Sequence, residues 1–93
     1  MADLDLKFFE SHLGEQFQVD GAPIALKLAE CKRMKSYPGE PREPFSLLFR
    51  GPAAPMLSQK SYVLSTEATG PIEIFLVPVG QDAAGLMYEA VFN

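Results

Sequence analysis

The sequence predicts a mainly β fold, a small antiparallel six-stranded barrel or sandwich with a short N-terminal helix. Three features carry that reading. From residue 16 onward, short runs of apolar residues alternate with polar ones at period 2. Glycines and prolines punctuate those runs closely enough for hairpins, whereas parallel neighbours need crossovers of about a dozen residues or more. Only the opening residues show helical spacing.

Leu6, Phe9 and Leu13 lie at i, i+3 and i+7, one apolar stripe of a helix over about residues 4–13. Asp3 or Asp5 is placed to accept from the free N–H groups of its first turn, and Gly14 to take the left-handed conformation that ends it. So short a helix is unstable alone, so Phe9 and Leu13 are expected to cover an open end of the sheet, with Phe8 widening the stripe. Phe17 and Val19, against Gln16 and Gln18, then mark a first strand. Asp20-Gly21 reads as a hairpin turn into a second strand over about residues 23–34, carried by Ile24, Leu26 and Leu28. Its phase breaks after Leu28, where Glu30 falls on the apolar side. A bulge there would put Glu30 outside the core.

Residues 36–44 hold three prolines and one glycine and exclude a regular element. Phe45, Leu47 and Phe49 alternate with Ser46, Leu48 and Arg50 in the clearest strand, which stops at Gly51-Pro52. Residues 52–58 form a connector with room for one helical turn. Tyr62 and Leu64 mark a fourth strand with Ser61, Val63 and Ser65 opposite, and Thr69-Gly70-Pro71 turns the chain into a fifth. After Ile74 both faces of the fifth strand are apolar, with Leu76 on one and Phe75, Val77 and Val79 on the other. That pattern predicts burial on both sides. Residues 80–85 form the last turn, and Leu86, Tyr88, Ala90 and Phe92 the sixth strand. Phe45, Leu47, Phe49, Leu64, Leu76, Val77 and Phe92 are expected to share one core. The apolar last strand must pair, either closing the domain's own sheet or offering an edge to a neighbouring subunit.

At 47% hydrophobic and 22% charged residues the chain is globular rather than disordered, and residues 1–93 make one domain. Its net charge of −4 gives no general attraction for phosphate, and the densest basic cluster is only Lys32, Arg33 and Lys35, so no nucleic-acid partner is expected. A single cysteine, Cys31, excludes an internal disulfide. Asp3 and Asp5 sit where a secretory signal needs positive charge, and the longest apolar run, residues 74–79, is far shorter than the roughly 20 residues of a membrane helix. The expectation is a protein cytoplasmic at synthesis, with no membrane partner, able to enter a larger assembly.

Chemistry finds little purchase. Ser11 and His12 are adjacent, so on a helix their side chains point about 100° apart and form no nucleophile–base pair; a helix-end cation is the ordinary reading of His12. One histidine and one cysteine supply no metal-ligand set, and no cofactor is expected. Cys31 reads as a small apolar strand residue. Arg50, closing the clearest strand beside exposed turn amides, is a candidate carboxylate clamp; its ordinary role would be pairing with Glu43, Glu67 or Glu73. Tyr37, Tyr62 and Tyr88, with the phenylalanines, suit either a core or a pocket. The candidate interaction or ligand residues are Arg50, Tyr62, Phe75 and Tyr88.

FSLLFRGP at 45–52, the strand holding Gln59, Tyr62 and Leu64, FLVPV at 75–79, YEAVFN at 88–93 and the opening FFESHLGEQFQV at 8–19 resemble a bacterial family, domain of unknown function 6916, over nearly the whole chain. The resemblance brings no catalytic motif. It implies a short stand-alone bacterial protein, found near genes for tail-collar or fibre-like proteins. The expected function is a non-enzymatic structural or protein-interaction module, a component or assembly partner of a phage-tail-like or fibre-like structure, with a protein partner or self-association. The alternative is a small-ligand- or peptide-binding β-barrel whose pocket is lined by Tyr62, Phe75 and Tyr88. No enzymatic activity is expected, for want of any catalytic constellation.

Overall fold

The computed structural model describes residues 4–35, 38–39 and 43–92. A helix, α1 (Leu6–Glu10), leads into six strands: β1 (Gln16–Val19), β2 (Ala25–Arg33), β3 (Phe45–Gly51), β4 (Lys60–Thr66), β5 (Gly70–Asp82) and β6 (Gly85–Phe92). Every pairing is antiparallel, and the strands close into a barrel in the order β1-β2-β3-β6-β5-β4. The period-2 residues point inward, including Phe17 and Val19 of β1, Phe45, Leu47 and Phe49 of β3, and Ile72, Ile74 and Leu76 of β5. Val77 and Phe92, expected in the same core, are only half-buried.

The helix is shorter than its apolar spacing suggests. Asp5 caps it by accepting the Phe8 N–H at 2.8 Å, while Asp3 lies outside the described residues. The chain leaves α1 at Ser11, and Gly14, at φ 87°, turns it toward the sheet. The reason is competition for backbone bonds: the Gly14 N–H donates to the Leu28 carbonyl at 2.8 Å and the Leu28 N–H to the Glu15 carbonyl at 3.0 Å. Joining β2 therefore replaces a last helical turn. Leu13 falls in that turn and is 47% exposed, so Phe9 alone of the pair is buried. Its ring centroid lies 5.9 Å from that of Phe45 and 5.3 Å from that of Phe92, plugging the end of the barrel where β3 starts and β6 finishes.

The phase break in β2 is a bulge. Pairing with β3 passes from Leu28↔Phe49 to Glu30↔Leu48, so Ala29 is the extra residue, Glu30 points to solvent and Cys31 falls opposite buried Leu47. A second irregularity, Pro78↔Tyr88 followed by Gly80↔Met87, lies in β5. That strand continues through Gly80, which the sequence pattern places in the last turn, and ends at Asp82. Where the hairpin enters β6, Gly85, at φ 131°, brings its backbone against the Gly51 carbonyl of β3. Residues 52–59 contain no helical turn; buried Leu57 fixes them, its N–H donating to Tyr88 Oη at 3.0 Å.

Burial of β5 on both sides is corrected by the structure. Its even-numbered residues Ile72, Ile74 and Leu76 are buried, but Phe75 is 50% and Val79 51% exposed. A barrel has a single interior, and α1 sits at its end, so among the described residues no second layer covers the outside of β5. No helix among the described residues is long and apolar enough to cross a membrane.

Candidate functional site

Arg50 projects from the end of β3, and its guanidinium Nη1 binds both carboxylate oxygens of Asp82, at 3.0 and 2.9 Å. The hydrogen bond from Arg50, then that from the Ala84 N–H, holds the Asp82 carboxyl below the usual carboxylate range. The partner is thus none of the three glutamates expected, and Arg50 joins β3 to the end of β5. Lys27 stands directly across from it on β2. The two cations, with Gln16 and Pro52, line a shallow outer groove of about 370 Å³.

The three aromatic candidates do not converge. Tyr88 is inside the barrel with its hydroxyl accepting from Leu57. Tyr62 is half-buried on β4; its Oη donates to the Ser58 carbonyl at 2.6 Å, and Lys60 Nζ lies 5.2 Å from its ring centroid. Phe75 points away from both, to the outside. Tyr37 lies outside the described residues.

The remaining reactive side chains are committed to local structure. Ser11 Oγ donates to the Phe8 carbonyl at 2.6 Å, and His12 Nδ1 lies 2.8 Å from Glu15 Oε2 with its ring against Phe8. Burial, and then the nearby Glu10 carboxylate, push the Cys31 thiol up to about 11, so it is a poor nucleophile at neutral pH. No group of three or more His, Cys, Asp or Glu side chains among the described residues could hold a metal ion.

What the structure gathers instead is an apolar outer face on β5, β6 and β3. Phe75, Val79 and Val91 are each about half exposed, at 50%, 51% and 46%. The register places Val77, Glu89 and Leu48 in one row across the three strands, with Val91 beside Ser46 in the next. Met87 lies over Gly80 on the same side. Exposed apolar side chains gathered on one strand face, here around Glu89, are a usual mark of a contact site. The signal for it was present in the sequence as the second apolar face of β5, which reads equally well as double-sided burial.

Fold and surface together define a small antiparallel β-barrel domain, plugged at one end by an N-terminal helix and carrying an apolar patch on its outer wall. The sequence profile of the family described as domain of unknown function 6916 matches residues 4–92, and the chain belongs to that family. No curated protein and no solved structure matches the chain.

Proposed function

We propose that this protein is a non-enzymatic structural or protein-interaction module that meets its partner through the outer face of β5 and β6. One observation carries the reading: Phe75, Val79 and Val91 stand half exposed on a barrel whose core is filled without them. Strand faces left to water are ordinarily polar, because apolar ones promote unwanted association. The ligand-binding alternative is less well supported, since the hydroxyls of Tyr62 and Tyr88 serve Ser58 and Leu57, and Phe75 faces the other way. The finer reading, a component or assembly partner of a phage-tail-like or fibre-like structure, rests on the family resemblance alone.

The test is site-specific photo-crosslinking in the organism that makes the protein, with the probe at position 75 or 91 and, as control, at exposed position 20. Discrete crosslinked species from 75 and 91 and none from 20 are expected. Identical patterns from all three positions would refute the reading.

A further inference from the structure

The register of β5 leaves a seam in the barrel wall. Residues 70–76 pair with β4, and the pairing with β6 begins only at Val77↔Glu89, so no residue of β5 has ladder partners on both sides. β6 runs on past Glu89 to Phe92, where β3 is its one ladder partner among the described residues. The connector before β4 is fastened at Leu57 to Tyr88 and at Ser58 to Tyr62. Among the described residues, the backbone of residues 71–76 has no partner outside the β4 ladder. Phe75 on β5 and Val91 on β6, both half exposed, stand at the two lips of this seam. Two carboxylates share its outer side, Glu73 on β5 and Glu89 on β6, and neither belongs to an ion pair among the described residues.

We propose that the seam takes an extended segment of a partner protein, added as a strand to the free edge of residues 71–76. The segment carries a basic side chain opposite Glu73 and, two residues away, an apolar one opposite Phe75. This rests on the interaction reading above and specifies its partner's chemistry. Strand addition satisfies the unpaired backbone groups, and alternate side chains supply the selectivity. Directly opposed side chains on neighbouring strands lie about 4.5–5.5 Å apart, which favours opposite charge at Glu73 and an aromatic or β-branched residue at Phe75. A second copy of the chain is a poor occupant by its own β5, because residues 70–82 contain no lysine or arginine. The net charge of −4 also favours approach of a basic segment.

The probe is a capped seven-residue peptide with threonine at odd positions and lysine, valine and lysine at the even ones. Two relatives serve as controls, one with glutamate for lysine and one N-methylated at alternate amides. In amide-resolved NMR titrations of the intact chain, the lysine peptide is expected to shift residues 72–76 and 90–92, the glutamate peptide to bind at least about tenfold more weakly, and the N-methylated peptide to lose binding. No shift with peptide at about 1 mM, shifts confined to other strands, or undiminished binding of the N-methylated peptide would overturn the proposal. If the peptides fail while crosslinking at position 75 succeeds, strand addition is wrong and the interaction reading stands.

Discussion

Tyr88 is the side chain that ties the barrel interior to its longest described connector. Its ring is fully buried and its hydroxyl accepts the Leu57 N–H. Tyr88→Phe keeps the packing but strands a buried donor, so a loss of about 1–3 kcal/mol is expected in a urea titration. Gly85 and Gly51 form a graded pair. A Cβ at Gly85 would run into the backbone oxygen of Gly51, at a φ that side chains avoid, whereas one at Gly51 would meet side chains, the Leu26 Cδ2 methyl at 2.6 Å and the Tyr88 ring at 3.5 Å. Gly85→Ala should therefore lower the melting temperature far more than Gly51→Ala, and equal effects would contradict the geometry. Cys31, with its thiol raised from 9.0 to about 11, should react with iodoacetamide much more slowly in the folded protein than in urea at pH 8. Because folding favours the neutral thiol, its contribution to stability is complete below pH 9 and falls as pH rises toward 11. The Arg50–Asp82 pair was not legible in the sequence, since Asp82 sits in a segment that reads as turn and only the extension of β5 brings it across from β3.

Among the elements, α1 and β5 show where period alone stops short. The stripe Leu6, Phe9, Leu13 located the helix and its buried anchor. It overran the end because the backbone at residues 14–15 bonds to Leu28, a long-range demand that no local spacing encodes. Phe9→Ala should cost about 3–5 kcal/mol, while Leu13→Ala, at a half-exposed site, should stay within about 0.5 kcal/mol; denaturant midpoints separate the two. In β2 the sequence exposed its own irregularity, because a charged residue at a core phase admits few explanations other than a bulge. In β5 an uninterrupted apolar run fits a strand buried on both faces and a strand with one sticky face alike, and only the barrel's single interior decides between them.

At the scale of the molecule, the barrel was legible as a class from alternation and turn spacing, with closure by the last strand among the expected outcomes, but its strand order and long-range registers were not. β1 joins β4 through only Gln18↔Ser65 and Val19↔Leu64 in the ladder, with one more bond from the Asp20 N–H to Val63, and β5 hands over from β4 to β6 midway. Those long-range registers leave the seam and its apolar lips on the outside. The face they form is separable from the core, so substitutions there should disturb association and leave folding intact. The most direct measurement is the size, by gel filtration, of the species recovered from the source organism for the intact chain and for a Phe75→Ser, Val79→Ser, Val91→Ser variant, alongside their melting curves. The variant is expected to melt cooperatively and elute as a smaller species than the intact chain. A folded variant that elutes with the intact chain's assembly, or a variant that cannot fold because this face belongs to the core, would contradict an outer interaction surface on β5 and β6.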